Sequence, residues 1–367
     1  MIDYQYIYDY YNNAPYLIKW VWWVSAILAI SIIVLAVYLK FIRLALRKKS
    51  NETAKFKSEY EALLIEYLYS GDETGELSKA QELIVNRIKD SIKTPSKQKL
   101  IVSVLFNLMN EVSGEMSDSI KMFYYKTGLI QYAFKKLRSK RWNVIAKGIG
   151  ELRRFGIDEA SHAIAPFINH PKSEVRSETH LYMVNLFLFE GLSFLDNLKV
   201  PLSEWIQIQL LETLQKFDNQ EICDIRPWLK SENNSVVLFA LKLAQIYNQF
   251  EVKETLMDLL SHENKEIRIE AIDVLAHLYG IEAKEMLKAN FNTLSLEEQI
   301  SFFKLLEKLV VPDDEPFVEA YLFHKNFEIQ LLALKILKEI NLDKYMGLTN
   351  SSNDKKSLAM VKAVKVL

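Results

Sequence analysis

Six histidines, one cysteine and a run of three acids are the side chains in this sequence whose types and spacing could carry chemistry. His170, His262 and His324 recur in one frame, each five residues before an apolar residue and its polar follower: Val175-Arg176, Ile267-Arg268 and Ile329-Gln330. A shared metal ion would need their rings to converge, but stacked helices stand ~8–10 Å apart and His262 and His324 lie two repeats apart. They are expected in turns or at the surface. His162, His180 and His277 show no ligand spacing with Cys223 or with each other. Asp313-Asp314-Glu315, between Pro312 and Pro316, could gather a cation. Three acids ahead of a helix are more simply N-terminal charges favoured by the helix dipole. Gly148-x-Gly150 lacks a preceding strand and a third glycine, so it is no nucleotide fingerprint. No P-loop, H-E-x-x-H or G-x-S-x-G occurs. The expectation is a non-enzyme with no catalytic residue, no metal ligand and no cofactor.

The elements that place these residues repeat. A-I-D-V-L at Ala271 returns as A-L-K-L-A at Ala240, A-L-K-I-L at Ala333 and A-V-K-V-L at Ala363, at spacings of 31, 62 and 30 residues. Fixed self-similarity of this length predicts stacked helix pairs. The register runs through Val144, Val175, Ile206, Val236, Ile267, Glu298, Ile329 and Ala359. Four residues on, along the same helical face, stand Gly148, Thr179, Leu210, Ala240, Ala271, Phe302, Ala333 and Ala363. Small residues at most of these positions suit close packing on the next helix. Asn233, Asn264 and Asn326, three residues before the register position, are expected to cap the first helix of each pair. Second helices are expected at Lys253–Leu260, Ala283–Ala289 and Pro316–Phe323.

These motifs resemble the HEAT-like repeat family, in particular its short repeats of about thirty residues, also seen in phycobilin-lyase-type proteins. Val175-Arg176 and Ile267-Arg268-x-x-Ala271 carry the likeness, which covers residues 138–367; Glu298 and Phe302 depart from it. The resemblance implies an α-solenoid with an extended surface for protein contacts and carries no substrate. The whole chain also looks like bacterial proteins with one N-terminal span and a cytoplasmic HEAT-like array, some of which accompany membrane glycosyltransferases.

Val21–Leu39 holds 19 residues without a charge. As a helix it spans ~29 Å, close to the ~30 Å hydrocarbon core of a bilayer. Trp20, Trp22 and Trp23 crowd one end, where such rings prefer the interface, and Arg43, Arg47, Lys48 and Lys49 follow the other. The basic flank predicts a single-pass inner-membrane protein with its N-terminus outside and the array in the cytoplasm. The expected fold is therefore all-α, a transmembrane helix followed by a solenoid. Its parts are a Tyr-rich tail (1–16), the span with its basic flank (17–46), a helical subdomain (47–137) and the array (138–367). In the subdomain, Ser70–Gly75 should break one helix, Ser96 cap another and Ser119–Leu137 form a third. At the far end, Gly347–Asp354 is expected as a loop before a capping helix at Ala359–Leu367.

Charge divides the chain. Residues 40–155 hold 23 Lys/Arg against 13 Asp/Glu, and residues 201–330 hold 12 against 23. The basic part suits anionic lipid headgroups; the acidic part and a net charge of −1 argue against nucleic acid. One cysteine excludes an intrachain disulfide and fits a reducing compartment. The function these features favour is a membrane-anchored scaffold that binds a protein partner, itself a membrane protein, with Arg176, Arg268 and Gln330 as candidate contacts. The alternatives are an accessory subunit of a polysaccharide-synthesis or secretion machine, and a HEAT-fold enzyme acting on nucleic acid or a tetrapyrrole.

Overall fold

The computed structural model describes residues 15–70, 77–216 and 222–351. The Tyr-rich tail up to residue 14, the break at 71–75 and the expected helix Ala359–Leu367 lie outside them. No strand occurs among the described residues. Two compact units divide the chain, Met1–Tyr132 and Ala133–Leu367.

The first unit is built on α1, Tyr16–Tyr69, a single helix of 54 residues. Glycine and proline are absent from this whole stretch, so nothing in the backbone chemistry interrupts it. Only Tyr60, Leu64 and Tyr67 are buried, spaced four and three residues apart on one face. They meet α2 (Lys79–Ser91), α3 (Pro95–Glu111) and α4 (Glu115–Lys126), with Tyr67 edge-on to Phe123 at 4.8 Å. Gln81 joins two helix ends. Its Nε2 donates to the Tyr67 carbonyl (2.9 Å) and its Oε1 accepts the Ser78 amide (3.1 Å) in a capping box, satisfying groups that helix termini leave orphaned. Two expectations are corrected here. Thr94, not Ser96, occupies the N-cap of α3, because Pro95 fits the first helical position and lacks the donor that position would waste. The run 119–137 is two helices, α4 and α5 (Leu129–Leu137), parted at Gly128, whose φ of 80° favours glycine.

In the second unit the first helices of the pairs are α6 (Trp142–Arg154), α8 (Ser173–Phe187), α9 (Glu204–Leu214), α11 (Asn234–Ile246), α13 (Lys265–His277), α15 (Leu296–Lys308) and α17 (Phe327–Ile340). They stack in order: α6 on α8, α8 on α9, α11 on α13, α13 on α15, and α15 on α17. Lys242 of α11 donates to Gln207 of α9 at 3.0 Å. Each register residue from Val175 to Ile329 is buried, and so is each residue four positions on, from Gly148 to Ala333. Asn233, Asn264 and Asn326 cap α11, α13 and α17 by accepting first-turn amides. The all-α helical-repeat expectation is met.

The second elements are uneven: α7 (Ser161–Ile164), a 3-10 run at Glu190–Asn197, α10 (Arg226–Leu229), α12 (Lys253–Leu259), α14 (Ile281–Ala289), α16 (Glu315–Ala320) and α18 (Leu342–Ser351); of the three expected, α12 and α16 end earlier and α14 begins two residues earlier. Gly191 shows why the 3-10 run lies so close to α8, since a Cβ there would fall 2.3 Å from the Met183 carbonyl oxygen. The start of the expected Gly347–Asp354 loop is instead helical, as part of α18. The two departures from the pattern also find their reasons. Phe302 packs among Phe291, Phe303 and Phe317, with ring centroids 5.4–6.0 Å away. Glu298 is buried at a register position because its carboxylate serves as a polar junction, described next.

Candidate functional site

The recurring histidine frame is a turn lock. Nδ1 of His170, His262 and His324 accepts the amide two residues on, from Lys172 (3.1 Å), Asn264 (2.9 Å) and Asn326 (3.2 Å). The arginine six residues after the histidine then folds back. Arg176 Nη1 donates to the carbonyls of His170 (2.7 Å) and Pro171 (3.1 Å), and Arg268 Nη1 to those of His262 (2.7 Å) and Glu263 (3.0 Å). Arg268 also donates through Nε to Glu298 of the next pair, whose other oxygen accepts the Ser295 amide at 2.8 Å. Two of the three candidate contact residues are thus engaged in holding turns, and Gln330 sits half-buried at the equivalent place on α17. The lock gives His170, His262 and His324 a structural role in their turns. Among the described residues no three His, Cys, Asp or Glu side chains gather at one point.

The three consecutive acids part company at the start of α16, with Asp314 at its N-cap and Glu315 in its first turn. Asp314 is 1% exposed; it accepts from Lys284 Nζ at 2.9 Å, Lys288 Nζ at 2.5 Å and the Val311 amide at 3.1 Å. Glu315 meets Lys344 at 2.6 Å and accepts from Asn341. Asp313 is exposed. Burial works against the Asp314 charge, but the hydrogen bonds from Lys288 and Lys284 outweigh it and hold the carboxyl below its ordinary value. Lys284 is itself 2% exposed. Elsewhere, His180 stacks on Phe194 at 4.3 Å with its Nε2 on the Ile168 carbonyl (3.1 Å), and its Nδ1 has no partner. Burial pushes it down to about 4, so it is neutral at physiological pH. These groups serve the fold.

What the array offers to a partner lies elsewhere. Two residues past the register position, the first helices carry Ile208, Leu238, Ile269, Ile300 and Leu331, each left partly open. Ile208 is 48% exposed and Trp205, one turn before it, is 67% exposed. Four residues beyond this apolar row stand Glu212, Lys242, Asp273, Lys304 and Lys335 on the same face. Burial, then the Asp273 charge, raises Glu270 above the ordinary carboxylate range. Beside Leu238 lies a groove of about 1120 Å³, walled by Pro201, Pro227, Trp228, Asn234 and Glu266. Trp228 is fixed there by Nε1–H donation to Asp196 at 2.6 Å. An apolar row beside charges of both signs suits an amphipathic protein segment.

The other open surface is α1. It is long and apolar enough to cross a membrane, and its apolar window is wholly unburied. Trp20, Trp22 and Trp23 are 63%, 40% and 61% exposed, and Arg43, Arg47, Lys48 and Lys49 are exposed on the flank. A soluble domain seldom leaves so large an apolar surface uncovered.

No protein-family model and no curated protein matches the chain. Among solved structures it is similar to an engineered protein at 16% identity and a TM-score of 0.36, covering 84% of this chain and 98% of that one. It is similar to a designed armadillo repeat protein at 14% identity and 0.31, covering 58% and 100%. A structure of microtubule-polymerase TOG domain arrays follows at 11% and 0.25, covering 84% and 90%. Likenesses this distant bring no function with them, and the repeat fold rests on the stacking described above.

Proposed function

We propose that this chain is a membrane-anchored, non-enzymatic adaptor. Its span is the exposed apolar part of α1, and its helical-repeat unit holds a protein partner at the cytoplasmic face. The observation that carries the reading is α1 itself, whose uncovered apolar stretch runs without a break into the helix that packs the first unit. Lipid is the solvent that would cover such a surface. The basic residues after the stretch set the orientation. Because Arg176 and Arg268 hold turns, the contact face moves to Trp205, Ile208 and the groove beside Leu238. Tethering raises the effective concentration of the array for another protein in the same membrane.

The test places a photo-crosslinking residue at Trp205 or Ile208 in the full chain in native membranes, with exposed Glu282 on α14 as control. A discrete membrane-protein adduct from 205 and 208 but not from 282 is expected. Adducts equal at all three positions, or none, overturn the contact face. Release of the chain from membranes by alkaline carbonate overturns the anchor.

A further inference from the structure

One part of the array leaves its carboxylates without cations. Between residues 196 and 277, Asp224 is the one acid among the described residues that forms an ion pair, with Arg226 at 2.8 Å. Lys265 and Arg268 of α13 turn instead to Glu297 and Glu298 of α15. Beyond residue 277 most described acids are paired; Glu307 meets Lys335, Glu328 meets Lys304, and Asp314 meets Lys284 and Lys288. The shortage of cations is therefore local to α9, α11 and α13 and the turns around them.

Several of these acids run together. Asp196, Glu232 and Glu266 line the groove beside Leu238. Glu270 follows Glu266 by four residues on α13 and Asp273 follows by three more, so the carboxylates continue along one helical face for about 10 Å. The cations among them are Lys199 in the groove wall and Lys242, whose Nζ donates to Gln207. Burial raises Asp273 above its ordinary value, against the Ser301 hydrogen bond and the Lys304 and Lys308 charges. Glu270 and Asp273 are thus half-buried carboxylates with no ion pair among the described residues.

Spread and setting identify the occupant. Among the described residues no three of these carboxylates gather at one point, so they suit a string of cations rather than one ion. Beside them lie the partly open Leu238 and Ile269, which match an apolar stripe on the same segment. Nucleic acid and anionic lipid would be repelled by such a surface. Cytoplasmic segments next to membrane spans are rich in Lys and Arg, so a membrane protein carries the complementary charge on the side where the array is proposed to lie. We infer that the groove and the adjoining face of α13 receive a Lys/Arg-bearing amphipathic segment of the partner, its apolar stripe on Leu238 and Ile269 and its cations toward Glu266, Glu270 and Asp273. This rests on the contact face proposed above.

A photo-crosslinking residue at exposed Asn234 on the groove wall, in the full chain in non-ionic detergent, reads occupancy by three labelled peptides. They are an amphipathic leucine–lysine helix, its leucine–glutamate counterpart and oligolysine. The leucine–lysine peptide is expected to give the strongest adduct, and E266Q/E270Q/D273N should weaken it by about tenfold. The charge-matched E251Q/E254Q/D258N, altered at exposed sites on α12 and the turn before it, should not. Amides suit positions where burial disfavours a carboxylate, so the first variant should melt no lower than the unaltered chain. If it does melt lower, the peptide comparison on the unaltered chain still decides. An equal adduct from the leucine–glutamate peptide overturns the charge assignment, and an equal one from oligolysine overturns the apolar part. Equal loss in both variants means diffuse attraction and overturns the site. In native membranes, partner adducts from positions 205 and 208 that survive E266Q/E270Q/D273N refute this inference and leave the contact face standing. Absence of those adducts with peptide binding intact refutes the adaptor reading alone.

Discussion

Replacing Asp314 by Asn keeps the shape of the side chain and removes the charge that holds Lys284. That ammonium has no easy route to water at 2% exposure, and its other contacts are the Leu309 carbonyl at 3.3 Å and the exposed Glu285 at 3.3 Å. Breaking a buried pair from one side costs ~3–5 kcal/mol. At ~1.4 kcal/mol per decade, this raises the local opening equilibrium by about 10² to 10⁴. Because repeat stability is summed over neighbour interfaces, the loss should appear as faster amide exchange in α14, α15 and α16 of the full chain, with α6 and α8 unchanged. Lys284→Met should act similarly by stranding the carboxylate. The double variant Lys284→Met/Asp314→Leu removes both charges and should cost only ~1–2 kcal/mol. About 1 kcal/mol of that is the Val311 amide left without its acceptor, while Lys288 at 23% side-chain exposure can turn to water. The Asp314 carboxyl is depressed in the fold, so its contribution is present above the unfolded value of ~3.9 and is lost as pH falls through the folded value. Single variants costing under ~1 kcal/mol, or a double equal to their sum, would refute the burial reasoning.

His180 gives a second acid-sensitive point. With a folded value of about 4 against ~6.5 unfolded, its contribution is complete above pH 6.5 and falls by about 2 kcal/mol between pH 7.5 and 5. His180→Phe should flatten α8 protection factors over that range, and an unchanged slope would assign the effect to another group. Gly191→Ala should destabilise by at least ~1–3 kcal/mol because its Cβ meets the Met183 backbone. Gly347→Ala, which meets nothing within 4 Å, should be neutral or stabilising by up to ~1 kcal/mol in thermal melts. Trp205→Ser/Ile208→Ser should leave stability within ~0.5 kcal/mol while abolishing the adduct of a photo-crosslinking residue placed at exposed Asn234 on the wall of the groove; a large loss of stability would mean the row is core.

The repeats were legible because close packing admits few residue types. Ala240, Ala271 and Ala333 mark where neighbouring helices touch, and the three asparagines mark where helices begin. The role of Arg176 and Arg268 was hidden because their acceptors are backbone carbonyls five and six residues back, which any sequence would supply. Glu298 and Asp314 read as an irregularity and a turn charge. Each, however, stands 30 residues after a basic partner, Arg268 and Lys284, nearly one repeat on. Opposite charges at one-repeat spacing are the signal that would have paired them.

The unbroken course of α1 has a mechanical consequence. From Leu46 to Tyr69 the helix extends about 35 Å, with no glycine or proline to act as a hinge. A 10° change of tilt in the bilayer would then sweep its far end sideways by about 6 Å, and Tyr60, Leu64 and Tyr67 would carry their packed neighbours along. Bilayer thickness sets helix tilt, so under the proposed anchor a thinner bilayer would turn the first unit like the short arm of a lever.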